Sequence, residues 1–204
     1  MTTDNRTFWM LDTISNPGAV IETYVADAPS KWRLFKGQSH VAQFPAGATL
    51  KFSRDFPKHR KLFDFVANTL SLIIASKKVK DILDSVGVDN CEYLPVAVKD
   101  HKDKAVGPEY FIIHPVGGEE GLDLEKSVYD KDHFDESRIR RVHTLTLNKQ
   151  AIPPRARFFR FKPLMREYVI DQVVADAFKA GKVTGYRLFA AEGWDGSFMH
   201  LEAE

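Results

Sequence analysis

Short runs of β-branched and aromatic residues, cut repeatedly by turn residues, dominate this chain and leave room for few helices. The breaks are NPG at 16–18, PAG at 45–47, VGG at 116–118 and PP at 153–154. Between them strands are expected at TFWML near residue 8, VIETYV near 22, WRLFK near 34, TLKFS near 51 and SLIIA near 73. Further strands are expected at EYLPVAVK near 96, EYFIIH near 112, VHTLTL near 144, ARFFRF near 158 and VTGYRLFA near 186. Tyr110 to Ile113 is apolar without alternation, the pattern of a central strand covered on both faces. Pro95 cannot donate to a ladder and marks an edge or a bulge.

Two segments carry a helical period instead. Val79, Ile82, Leu83 and Val86 fall at i, i+3, i+4 and i+7, with Ser76 as N-cap and Gly87 as stop. Ile170, Val173, Val174, Ala177 and Phe178 form a similar stripe, with Asp171 in the first turn and Lys179 before Gly181. The expected fold class is therefore α+β: mostly antiparallel sheet, with main helices at about 76–86 and 170–180 packed on it. Before residue 70 only short strands are legible, so an N-terminal β-rich subdomain (1–70) is expected to pack on a C-terminal α+β half (71–204).

At 204 residues, 44% apolar and 28% charged, the chain can bury a substantial core. A net charge of +1 argues against nucleic-acid binding as its main business. The single cysteine, Cys91, excludes an internal disulfide framework and fits a reducing compartment. MTTDNRTFWMLD lacks a basic n-region followed by a long apolar stretch, and no run is long and apolar enough for a membrane span. A cytoplasmic location is expected, without membrane partners.

No motif supplies chemistry. The histidines lack the spacing of H-E-x-x-H or H-x3-5-H. Asp130, Asp132, His133 and Asp135 are the best metal set, but a calcium loop needs a Gly at its turn and a closing Glu, and neither is in register. Cys91 beside His114 or His143 is read more simply as packing and strand-end residues. GWDGS leads into no helix, and VGGEEG lacks the Lys-Ser/Thr of a phosphate loop. No catalytic residue, cofactor or metal is expected. Two basic stretches with aromatics, KFSRDFPKHRKLF and RARFFRFK, could follow a phosphate backbone with Phe stacked on bases. The simpler reading buries the rings and solvates the cations, with Arg160 either at a bulge or pointing inward to a carboxylate.

The segment 119–136, EEGLDLEKSVYDKDHFDE, holds eight acidic residues and two lysines. It could be a solvated loop or a face for something basic. A resemblance bears on the choice. KVKDIL followed by CEYLPVAV, EYFIIHPV, LDLEKSVY, ARFFR and AFKAGKVTGYRLF, in that order over residues 76–190, resembles the immunity-protein family of bacterial polymorphic toxin systems. That family was long catalogued as a domain of unknown function and is named after a myxobacterial immunity protein. This chain departs from its pattern in having His114 where Asn precedes the Pro, and Ile170 where a Ser opens the last helix, which removes the expected cap. The resemblance implies a small cytosolic protein, encoded beside a secreted toxin, that binds and blocks that toxin without turnover. Many such toxins are nucleases, basic where they hold nucleic acid. Glu119, Glu120, Asp123, Glu125, Tyr129, Asp130, Asp132, Phe134, Asp135 and Glu136 then become the expected toxin-facing set. The alternative is a nucleic-acid- or nucleotide-associated protein using the basic strands.

Overall fold

The computed structural model describes residues 5–198. Strands β1 (Phe8–Thr13), β2 (Val20–Ile21), β3 (Thr49–Lys51), β4 (Phe65–Asn68), β5 (Ile73–Ser76) and β6 (Cys91–Lys99) are joined by short helical pieces. β7 (Tyr110–Pro115), β8 (Val128–Lys131), β9 (Ile139–Thr144), β10 (Phe158–Phe161), β11 (Leu164–Asp171) and β12 (Tyr186–Ala190) follow. The helices are α1 (Lys31–Leu34), α2 (Lys77–Ser85) and α3 (Gln172–Ala180). The class is α+β. A six-stranded sheet runs β2-β4-β5-β7-β6-β3, a four-stranded sheet β10-β11-β1-β12, and β8 and β9 form a separate hairpin. All pairings are antiparallel except β2 with β4 and β3 with β6.

Period-2 alternation divides the apolar residues among three cores. Tyr110 and Ile112 face a core covered by α1 and the loops of the first half, whereas Phe111 and Ile113 face the four-stranded sheet. Leu11, Phe158, Tyr168 and Ile170 meet them from that sheet, and Val79, Leu83, Val174, Ala175 and Phe178 of α2 and α3 complete this shared core. Met10, Phe159, Phe161 and Val169 point the other way, onto Val142, Leu145, Ile152 and Trp194. The boundary expected at residue 70 falls inside the six-stranded sheet, and β1 lies between β11 and β12.

Several elements differ from the sequence reading. WRLFK is helical at Lys31–Leu34, not a strand, because Leu34 and Phe35 reach the first core from adjacent positions while Trp32 stays outside. VIETYV shrinks to the two residues of β2. β4, β8 and β11 were not foreseen. Ile170 belongs to β11, so α3 starts two residues later and buries Val174, Ala175 and Phe178 while Val173 is exposed. Its cap is present after all: Asp171 accepts the Val174 N–H at 3.0 Å, replacing the serine that the resemblance led one to expect. Ser76 occupies the N-cap position of α2, but its hydroxyl donates to Asp64 Oδ1 at 3.0 Å. β7 is central, as its composition requires, and β3 covers β6 only at Ala97–Lys99, which leaves Pro95 on a free edge.

Arg160 joins the layers. It shares the inward face of β10 with Phe158 and is 1% exposed. Both branches of the expectation meet here, since the β10–β11 register shifts between Phe159 and Phe161 and Arg160 points inward, but its partner is no carboxylate. Its Nη1 donates to Leu34 O at 2.6 Å, and its Nη2 to Tyr168 Oη at 2.8 Å and His114 Nδ1 at 3.4 Å. The guanidinium also lies 4.5 Å from the centroid of the Tyr168 ring. One side chain thus ties β10 to β11, β7 and the end of α1. Arg160→Met keeps the volume but orphans His114 Nδ1, while Leu34 O still accepts from Gly37 N at 3.0 Å and Tyr168 Oη still donates to Ser71 O. That orphan costs about 1–3 kcal/mol, partly offset by relief from burying a charge, so a net loss of about 1 kcal/mol is expected in denaturant titration. A variant as stable as the parent would show that the network adds nothing.

Candidate functional site

Burial and hydrogen bonding account for the residues that a hydrolytic site would need. His114 is fully buried. Its Nε2 lies 2.8 Å from Gln38 O, and a carbonyl can only accept, so Nε2 carries the proton and Nδ1 offers its lone pair to Arg160. Burial, then the Arg160 charge, lowers the His114 pKa to about 4. Cys91 is half-buried, and burial pushes its thiol far up, which suppresses the thiolate. His143 is exposed on β9 beside Asp130 at 3.3 Å. These three groups do not converge.

The expected partner-binding set lies along Glu119–Lys131 and the β8–β9 hairpin. Its position follows from α1. Gly37, at φ +66, approaches so closely that a Cβ there would lie 2.5 Å from Gly117 O, and Gly117 N donates to Gly37 O at 2.8 Å. From that anchor Glu119 runs along β10: its N–H donates to Arg160 O at 2.8 Å, and its carbonyl accepts from Lys162 N at 3.1 Å. The chain then leaves the core and returns as the hairpin.

Pairing changes the electrostatic reading of the acidic segment. β9 is basic, and its register sets Asp130 opposite Arg141. Asp130 lies 3.5 Å from Arg140, Asp135 2.9 Å from Arg138, Glu136 4.0 Å from Lys131, Glu120 2.9 Å from Lys162 and Asp123 2.7 Å from Lys126. Asp132 accepts from Phe134 N and Asp135 N and holds the turn. Among the described residues only Glu119, Glu125 and Asp132 of the eight carboxylates lack an ion pair. Each exposed pair contributes little stability, but together they cancel most of the long-range field that the segment shows in isolation. Hydrogen bonds from Ser137, aided by Arg138 and Lys36, hold the Asp135 carboxyl below its usual range, and Lys126 does the same for Asp123.

Apolar exposure is the feature left standing. Phe134, in the turn of the hairpin, is 100% exposed. Leu124 and Val128 are also exposed, whereas Tyr129 is half-buried opposite Val142. Sequence reasoning missed a second aromatic: Trp32 on α1 is 54% exposed, with the Arg166 guanidinium 5.2 Å from its ring centroid. Ser30 at the N-cap position was the available signal for α1. A cleft of about 220 Å³ between α1 and the hairpin is lined by Trp32, Asp132, Arg140, Arg166 and Glu167. It admits a side chain or two, and is below the ~300–1,000 Å³ of small-molecule pockets. Burial, then the nearby Asp12, raises the Glu167 carboxyl to about 7.

A family model described as immunity protein family (Imm11) matches residues 10–192. The match takes in residues 10–70 as well, beyond the 76–190 over which the resemblance is read from the sequence. No curated protein matches the chain. Among the described residues no helix is long and apolar enough to cross a membrane.

The protonation of His114 is directly measurable. A depressed pKa means that the unfolded chain binds protons from pH 6.5 downward while the fold does not. Stability from this residue is therefore full above pH 6.5 and lost as pH falls toward 4, by roughly 3 kcal/mol. Glu167, with its raised pKa, works oppositely between pH 4.5 and 7. The ring itself is thus the cleaner probe: NMR titration should find His114 still neutral at pH 5, and protonation near pH 6.5 would contradict the buried geometry.

Proposed function

Since the chain belongs to the Imm11 immunity protein family, we propose that it is a non-catalytic inhibitor that binds and neutralises a cognate secreted toxin in the cytoplasm of the producing cell. The toxin domain would be encoded by the adjacent gene. The observation that carries the binding role, beyond the family, is Phe134: a fully exposed aromatic in the turn of a hairpin that stands apart from both sheets. Interface anchors are commonly aromatic, with a polar rim around them, and Asp132, Asp135 and Glu136 supply such a rim.

The charge part of the reading is reduced. A hairpin whose carboxylates face its own arginines steers a basic partner weakly, so affinity rests on apolar contact rather than on complementary charge. The argument for a nuclease as the toxin weakens with it. The alternative reading loses the aromatic half of its second stretch, because Phe158, Phe159 and Phe161 are buried and present no stacking surface.

Phe134→Ala removes no buried contact and should leave the melting temperature unchanged. It should weaken binding to the adjacent-gene toxin domain by at least about tenfold, mostly through faster dissociation, as read by biosensor kinetics. Co-expression with the toxin should show reduced protection of growth. Full affinity in the variant would move the contact surface away from the hairpin.

A further inference from the structure

The charge that is not neutralised lies elsewhere on the molecule. Parallel pairing of β3 with β6 places Lys51 opposite Lys99, and Phe52 N continues the ladder to Lys99 O at 2.9 Å. Two sequence-distant basic segments, 51–61 and 99–104, are thereby set side by side. Together they carry eight Lys and Arg, namely Lys51, Arg54, Lys58, Arg60, Lys61, Lys99, Lys102 and Lys104, against Asp55, Asp100 and Asp103. Of the eight cations only Lys51, with Asp103, has an ion pair among the described residues. Hydrogen bonding to Lys51, with Lys99 and Arg54 close by, keeps the Asp103 carboxyl below its usual range, so the two segments share one field. Asp100 is occupied in its own turn, accepting from Lys102 N at 2.8 Å and Lys104 N at 3.0 Å.

We propose that this basic surface is a second binding site, one that takes the phosphate backbone of nucleic acid without reading its sequence. Three observations select that partner over an acidic protein or a lipid surface. None of the exposed large apolar side chains lies in 51–61 or 99–104, so the patch lacks the apolar anchor that protein interfaces and membrane insertion use. Its cations are mainly lysines, which are depleted in protein interfaces but serve as point charges toward phosphate. Its rings are engaged within the fold: Phe52 is buried with the His101 ring 5.5 Å away, the half-buried Phe56 lies 5.4 Å from the His59 ring, and the half-buried Phe63 has Lys61 Nζ 4.8 Å from its centroid. None of these rings is fully exposed for bases to stack on, so contact is mainly with the backbone. A recess of about 190 Å³ lined by Phe52, Arg60, Leu62, Asp100, His101 and Lys102 has room for one phosphate group beside Arg60 and Lys102.

The site is independent of the hairpin and of the toxin reading. The test is fluorescence anisotropy of a labelled 20-base-pair duplex of arbitrary sequence, titrated with the full chain from 25 to 200 mM NaCl. If about five phosphates are neutralised, the slope of log K against log salt is about −4 to −5, and affinity falls roughly two to three orders of magnitude between 50 and 200 mM. Replacing Lys58, Arg60, Lys61 and Lys102 together by Gln should lower affinity at 50 mM at least about tenfold and flatten the slope by about 3 to 4. Lys126→Gln with Lys131→Gln, a neutralisation next to the carboxylates, should change neither. All three proteins are checked by thermal melting. The proposal is overturned by absence of binding at 25 mM, by equal binding of the four-site variant, or by tighter binding to poly-glutamate or to phosphatidylglycerol vesicles than to the duplex.

Discussion

Burying an uncompensated guanidinium constrains everything around it. Among the described residues no carboxylate pairs with Arg160, so it is held by neutral acceptors: a helix-end carbonyl, a tyrosine hydroxyl and an imidazole nitrogen. That arrangement dictates the tautomer of His114, whose other nitrogen must then donate to Gln38 O. Gln38 O in turn also lies 2.9 Å from His40 Nδ1 and orients a second buried imidazole. The residues just after α1 are fixed by these contacts, and Gly37 packs on Gly117 where the acidic segment begins. Position of the hairpin therefore follows from an interaction two layers below it.

Charge is distributed by pairing rather than by position along the chain. The acidic segment ends at residue 136, and Arg138, Arg140 and Arg141 begin just beyond it. A β-turn brings those residues back alongside, so the acidic and basic runs neutralise each other across one ladder. Lys51 and Lys99 are forty-eight positions apart yet adjacent, and among the described residues most of the cations around them have no ion pair. The result is a neutral hairpin with an exposed aromatic turn and a separate basic surface. An exposed aromatic turn and a net basic surface thus lie on different parts of the molecule.

Much of the fold was legible where local pattern and tertiary demand agree. β7 reads as central because both its faces are buried, and α2 reads as a helix because its stripe packs on one core. Failures came where two elements abut. Ile170 and Asp171 end β11, and the next residue opens α3, so the apolar run spans both periods and displaced the expected helix by two residues. WRLFK failed because one helical turn is too short to show a period. Of the candidate site, Phe134 could be named from sequence but its exposure could not, and the neutralisation of the carboxylates required the register. The imperfect alternation around Arg160 showed that either a bulge or an inward arginine was required; its partners were not legible, since Leu34, His114 and Tyr168 lie on three different elements.

A binding protein of this family must touch its partner somewhere, and hydrogen exchange on the complex locates that contact without mutation. The measurement is amide exchange across the full chain, free and saturated with the toxin domain proposed to be encoded by the adjacent gene. Slowed exchange centred on residues 128–144, extending to α1 across the cleft, is the expected result. Protection elsewhere with an unchanged hairpin, or no complex at all, would contradict the placement of toxin contact on Phe134 and its surroundings.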